Sequence, residues 1–378
     1  MSLMRIQRIY DDLERHIAPN KVLVLYGPRQ VGKTTILQSY LSGTRWRYRL
    51  EIGDDIHAQE IIGSHNLDWL TEYAEGYELI AIDEAQRIPN VGQGLKILVD
   101  NIPGIRIIVT GSSSFELSGQ VGEPLTGRKK TLVLYPLSQF ELRRQHSSFD
   151  LKKYLENHLV FGSYPEVLTA RKRSEKIDLV TEIVGSYLLK DILELDRVKS
   201  SKILLDLLRL LAFQVGKEVS LRELATQLGI DYKTVARYID LLEKSFVLYN
   251  LRGYSRNLRK EITKKSKYYF CDNGIRNGII SNFNALSRRD DLGALWENFL
   301  VSDRLKLQAY KPIHSNNYFW RTWDQKEIDF VEEREGKLYG FEFKWGTKKI
   351  SPPREWLEAY PEGVFSVVDR DNYLDFLT

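Results

Sequence analysis

Short, uninterrupted apolar runs mark the first third of the chain: KVLVLY at residues 21–26, the apolar part of ELIAIDE at 78–84, RIIV at 106–109 and TLVLYPL at 131–137. Such runs read as strands buried on both faces, the pattern of a parallel sheet covered by helices. Further on the period changes to that of a helix. Leu221, Leu224, Ala225 and Leu228 fall on one face. After Gly229 the inward set is Val235, Tyr238, Ile239 and Leu242. Ser220 with Glu223 forms a capping-box pattern, and Asp231 can cap the second helix, so two amphipathic helices joined by a tight turn are expected. FVLYNL and KYYF follow as strands. The last hundred residues carry a helical run, LGALWENFLVSDRLKL. Two strands are expected after it, KEIDFV and LYGFEFKW, with a turn around Glu335 and Gly336.

A chain of 378 residues exceeds one ordinary core, so two to four domains are expected. With 43% hydrophobic and 28% charged residues it has a globular rather than a disordered composition. One cysteine, Cys271, excludes an internal disulfide, and 6 scattered histidines leave no Cys/His cluster at zinc-site spacing. A cytoplasmic protein without membrane contact is the expectation, since no stretch reaches bilayer-spanning length. The net charge of +4 says little about partners. Its distribution says more: Arg256, Arg259, Lys260, Lys264 and Lys265 form a basic run against one acid, Glu261.

The first strand runs into Gly27, Pro28, Arg29, Gln30, Val31, Gly32, Lys33 and Thr34, then Thr35 and a helical segment. This is a phosphate-binding loop in its required strand-to-helix context. Its glycines let backbone N–H groups turn around the phosphates, and Lys33 can reach the β and γ oxygens. Thr34 is expected to hold Mg²⁺. The strand ending in Asp83 and Glu84 supplies the second element: Asp83 for the magnesium, Glu84 to polarise the attacking water. Thr110, Ser112 or Ser113, at the end of the third strand, is the expected γ-phosphate sensor. Arg128, with Arg29 as the weaker candidate, is the expected arginine that stabilises transition-state charge, within the chain or from a neighbouring subunit.

GPRQVGKTT, AIDEAQR, VTGSS and TGR followed by LYPLSQFEL together resemble the bacterial and archaeal AAA+ ATPases with a C-terminal region of unknown function. FGSYPEVL, YLLKDI and YYFCDNGI resemble the later segments of that group. The resemblance implies a five-stranded parallel sheet, a small helical lid after about residue 138, and assembly into a homo-oligomeric ring or other array. The expected fold is α/β: an AAA+ core at 1–138, the lid at 139–198, a winged helix-turn-helix at 199–275 and a nuclease-like α/β domain at 276–378.

In the helix pair, Lys233, Thr234 and Arg237 lie near the start of the second helix, where a recognition helix meets DNA. Arg256, Arg259 and Lys260 would sit on the wing. In FEFKW, Glu342 and Lys344 share one strand face, and Asp329 on the preceding strand can lie beside Glu342. Glu297, on an otherwise apolar helix face, needs a partner. The order of helix acid, strand Asp and Glu-x-Lys resembles the PD-(D/E)XK nuclease superfamily. That resemblance implies Mg²⁺ or Mn²⁺ at Asp329 and Glu342, with Lys344 orienting water. The other reading of the same residues is a hairpin with one solvated face. The expected protein hydrolyses ATP and binds DNA, branched or ended DNA among the candidates, with cleavage as an open extension. The rival is an ATP-dependent switch or transcriptional regulator carrying a catalytically silent nuclease-like platform.

Overall fold

The computed structural model describes residues 6–111, 124–188, 200–254, 266–346 and 350–378. Ser112, Ser113, Arg256, Arg259 and Lys260 lie outside the described residues. The chain divides into two compact units, residues 1–136 with 244–246, and residues 137–243 with 247–378.

In the first unit the apolar runs become β1 (Lys21–Tyr26), β3 (Leu79–Asp83), β4 (Arg106–Gly111) and β5 (Lys129–Val133), joined by an edge strand, β2 (Tyr48–Ile52). All pairings are parallel and the order is β2-β3-β4-β1-β5, the five-stranded sheet that the sequence implied. Helices α1 (Lys33–Gly43), α2 (Ile56–Ser64), α3 (Leu67–Ala74) and α4 (Val91–Asn101) connect the strands. Val22, Val24, Ile80, Ile82, Ile107 and Val109 pack with Leu70, Leu95 and Leu98 in a fully buried core. Each such side chain contributes about 1.5–3 kcal/mol by leaving water. This order brings the C-terminal ends of β1, β4 and β3 side by side, with Gly27 just after β1, Thr110 near the end of β4 and Asp83 at the end of β3. Gly27 marks the tightest approach: at φ +152°, a Cβ there would lie 2.0 Å from the Leu134 carbonyl oxygen.

The second unit begins with short helices, Gln139–Leu142, Ser148–Lys153, Leu155–Phe161, Pro165–Thr169 and Arg173–Glu182. This is the segment expected to form a lid. Several of its buried backbone groups bond within the second unit: Gln139 N–H donates to Asp303 at 2.8 Å and Ser163 N–H to Asp272 at 2.8 Å. Asn277 donates to the Leu159 and Val160 carbonyls at 3.0 and 2.9 Å. Those bonds tie the segment to the helices Asn273–Ile279 and Leu292–Tyr310.

Helix Ser201–Phe213, the short strand β6 (Glu218–Val219), helices Leu221–Leu228 and Tyr232–Lys244, and strands β7 (Leu248–Gly253) and β8 (Ser266–Phe270) come next. Leu224, Ala225, Val235, Tyr238, Ile239 and Leu242 are buried, as their spacing predicts. Gly229 takes the left-handed φ of +65° that ends the first helix. β9 (Asn316–Arg321), β10 (Glu327–Arg334), β11 (Lys337–Phe343) and β12 (Val364–Val368) complete a mixed seven-stranded sheet, ordered β12-β11-β10-β9-β7-β8-β6. The join is the parallel pairing of Arg252 with Tyr318 and Gly253 with Phe319. A boundary expected at 275/276 is therefore bridged by main-chain hydrogen bonds. Arg304 and Glu332 form a buried bidentate pair at 2.6 and 3.0 Å, and Gln308 donates to Glu332 at 2.7 Å.

His158 is buried in this unit, its Nδ1 3.2 Å from Ser163 Oγ. Burial pushes its pKa down to about 3, helped by the charges of Lys306, Lys176 and His146. The unfolded chain takes up a proton below about 6.5 that the folded chain refuses, so this histidine lowers stability as pH falls through that value. We expect wild type to lose about 1.4 kcal/mol per pH unit relative to His158→Gln between about pH 6 and 4. Denaturant melts of both proteins across that range check this; parallel pH profiles would refute it.

Candidate phosphate site and carboxylate cluster

The loop after β1 is shaped by backbone conformations that few residues tolerate. Gln30 has φ +58° and Gly32 φ +97°, and Gly32 caps α1. Lys33, buried at the first position of α1, donates to the Gly27 and Pro28 carbonyls at 3.0 and 2.7 Å. Its ammonium is thus held inside the loop, where phosphate oxygens could replace the two carbonyls as acceptors. The next residue, Thr34, donates its hydroxyl to Asp83 Oδ2 at 2.8 Å. The two oxygens expected to hold Mg²⁺ are in contact across β1 and β3, and both are hard ligands suited to that ion.

Thr110 explains why Asp83 and Glu84 point where they do. Its fully buried hydroxyl donates to Asp83 Oδ1 and accepts from the Glu84 N–H at 3.1 Å. Glu84 takes a left-handed φ of +53°, and its carboxylate accepts from Gln86 Nε2 at 2.5 Å. Thr110 was one of three candidates, with Ser112 and Ser113, for the γ-phosphate sensor, and its hydroxyl is bonded to Asp83 and to the Glu84 N–H.

Arg128 requires a correction. It precedes β5, whose Lys129 pairs with Val22 at the start of β1, and its own carbonyl accepts from the Val22 N–H at 2.9 Å. The loop that holds Lys33 leaves the other end of β1, about 15 Å away at the strand rise per residue. The Arg128 guanidinium pairs with Asp100 at 2.5 Å. It lies away from the phosphate site of its own chain, against the expectation of a role there within the chain. Arg8 was missed by the sequence reading. It is buried, donates to the Val31 carbonyl inside the loop, and reaches the Tyr135 carbonyl at 2.6 Å. A lone arginine ahead of the first strand offered no spacing signal.

In the helix pair, Lys233 and Arg237 are exposed one turn apart. The Arg237 guanidinium lies 5.5 Å from the Tyr238 ring centre. Thr234, expected to face a groove, instead donates its hydroxyl to Asp231 at 2.5 Å and its N–H at 2.9 Å. It closes the start of its own helix.

The structure brings together the expected acids of the second unit. β10 and β11 pair antiparallel with Phe330 opposite Phe341, a register that sets Asp329 across from Glu342. Asp329 accepts from the Phe343 N–H at 2.8 Å, and Glu342 accepts from Lys344 at 2.7 Å. Glu297 accepts from the Tyr269 hydroxyl at 2.6 Å and lies 3.4 Å from Lys267. Burial raises the pKa of Asp329 and, with the Asp329 charge, that of Glu342. Burial also pushes Glu297 up to about 7, against the pull of Lys267. Lys267 was not among the expected residues, yet its side chain is 1% exposed and also pairs with Glu327. Among the described residues, no three His, Cys, Asp or Glu side chains are arranged to hold a metal ion. The Mg²⁺ or Mn²⁺ expected at Asp329 and Glu342 fits poorly there, because the charges of Lys267 and Lys344 already act on Asp329 and that of Lys344 on Glu342.

A family model described as an AAA domain matches residues 19–143, and two described as domains of unknown function, DUF8612 and DUF4143, match 152–286 and 292–372. An uncharacterized protein of Mycobacterium tuberculosis is 31% identical over 332 residues, 87% of this chain and 71% of that protein. The chain belongs to this AAA-domain family. An uncharacterized protein of Methanocaldococcus jannaschii is 24% identical over 345 residues, covering 86% of this chain and 75% of its own. A solved variant of Thermotoga maritima RuvB aligns with 61% of this chain and 81% of its own, at 19% identity and a TM-score of 0.31. The AAA domain spans every residue of the phosphate site except Arg8, and the carboxylate cluster falls in the two segments of unknown function. Among the described residues, no helix is long and apolar enough to cross a membrane.

Thr110→Val keeps the buried shape of the AAA domain site and removes both hydrogen bonds that orient the acids. Loss of such supporting bonds typically costs about 10–100-fold. Phosphate release from ATP should fall by that factor, with nucleotide binding retained by fluorescence titration. An unchanged rate would remove Thr110 from the site.

Proposed function

We propose that the AAA domain hydrolyses ATP with Mg²⁺ and that this reaction governs DNA binding by the second unit. The observation that carries the reading is the bonded chain Thr34, Asp83, Thr110 and Glu84 beside the inward-held Lys33. The loop N–H groups and Lys33 would bind the β and γ phosphates, with Thr34 and Asp83 holding the magnesium. When bound, the ion supplies positive charge against the phosphates. Glu84 would accept the proton of the attacking water, held in place by Gln86 and by its own N–H on Thr110. Arg128 of a neighbouring copy would complete the charge stabilisation, which is the reason to expect an oligomer.

The helix pair and the antiparallel strands β7 and β8 follow the order of a winged helix. Lys233 and Arg237 present two cations on one exposed helix face, and the basic run continues between the strands. Together they would bind phosphates along a duplex.

Lys33→Ala should abolish ATP turnover. A wild-type rate in that variant would reject the site. Lys233→Glu with Arg237→Glu should weaken binding of a labelled duplex and reduce the slope of log affinity against log salt by about 1 for each DNA phosphate no longer neutralised. An unaltered affinity and slope would remove this helix from the DNA surface.

A further inference from the structure

Lys267 is buried and feels three carboxylates, Glu297, Glu327 and Asp329. Its ammonium pairs with Glu327 and lies 3.4 Å from Glu297, and the Tyr269 hydroxyl donates to the same Glu297 oxygen at 2.6 Å. Asp329 is near enough for its charge to act on Lys267. On the outer side Lys344 holds Glu342 at 2.7 Å, and Arg321 lies 3.6 Å from Glu327. Glu297, Glu327, Asp329 and Glu342 therefore meet three cations of the chain itself: Lys267, Lys344 and Arg321.

A lysine as buried as this persists as a cation only where carboxylates replace its lost hydration. The same carboxylates, without it, would be an oxygen-rich pocket for a hard divalent ion. The two arrangements exclude each other, since an ammonium and a divalent ion repel strongly at such distances in a poorly solvated site. Lys267 arrives on β8, which reaches Glu297 and Glu327 because the sheet continues through β7 and β9.

We propose that the Lys267 ammonium is the resident cation of this cluster, and that with it in place the centre takes no divalent ion. The second unit then meets its partner as a binding platform, without metal-assisted cleavage at Asp329 and Glu342. The inference does not rest on ATP hydrolysis or on DNA binding.

The test is Mn²⁺ titration of the full chain without nucleotide, read from the electron paramagnetic resonance signal of free Mn²⁺. Every arm carries Asp83→Asn, which removes the AAA-domain carboxylate assigned to the magnesium and is common to all the proteins compared. The parent and its Asp329→Asn derivative should bind Mn²⁺ alike. Lys267→Met should gain one saturable site, and adding Asp329→Asn should abolish it. Mn²⁺ should also raise the melting temperature of the Lys267→Met protein and leave that of the parent unchanged. Binding in the parent that Asp329→Asn removes would overturn the proposal, as would a folded Lys267→Met protein that gains no site. Should circular dichroism find Lys267→Met unfolded, the comparison of parent with Asp329→Asn decides alone: equal binding upholds the inference and unequal binding ends it.

Discussion

The second unit depends on a short length of main-chain pairing. Arg252 and Gly253 of β7 lie beside Tyr318 and Phe319 of β9, and through them three strands that flank the helix pair join four from the C-terminal segment. Backbone groups at a sheet edge must be paired or hydrated, and here each edge closes the other. The consequence reaches beyond architecture. Lys267, from one side of the join, is set among Glu297, Glu327 and Asp329 from the other, and neither half has a complete set of charges alone.

The same demand, that a buried charge find its partner, governs the AAA domain. Lys33 is buried and Asp83 half-buried, and they bond to carbonyls and to hydroxyls respectively. These are neutral partners. They can be exchanged for phosphate or metal without stranding a charge in the interior, whereas the Lys267 cluster holds full charges against one another and has no such cheap exchange. The two sites differ in kind for that reason: one has neutral partners to exchange, the other already holds cations of its own chain.

How far each was legible in the sequence follows from locality. The strand, loop and helix around Gly27 to Thr34 are contiguous, so their spacing carried the site, and the apolar runs carried the parallel sheet. Asp329 and Glu342 were also readable as neighbours, because a two-residue turn at Glu335 and Gly336 fixes the register of the hairpin. Lys267 was not. It lies 30 residues from Glu297 and 60 from Glu327, in a strand that reads as apolar, and no local pattern marks a lysine that turns inward. Arg8 and Arg128 illustrate the same limit in the first unit. One meets the loop from 23 residues away, and the other sits at the far end of the sheet although its sequence context suggested the near one.

Thr234 and Thr110 point to a further limit on reading roles from position. Each stands where a direct contact with a ligand was expected, and each spends its hydroxyl on an aspartate of its own unit. A hydroxyl has one proton to donate. Once given to Asp231 or Asp83, it is no longer available to a phosphate, and what remains is an accepting lone pair that a phosphate oxygen does not need. The groups with donors to spare at these places are cations on flexible stems, such as Lys233, and the backbone N–H groups of the loop. On the proposed reading, electrostatic recognition of phosphate would fall to them, and the threonines would hold the acids and helix ends that give those donors a fixed direction.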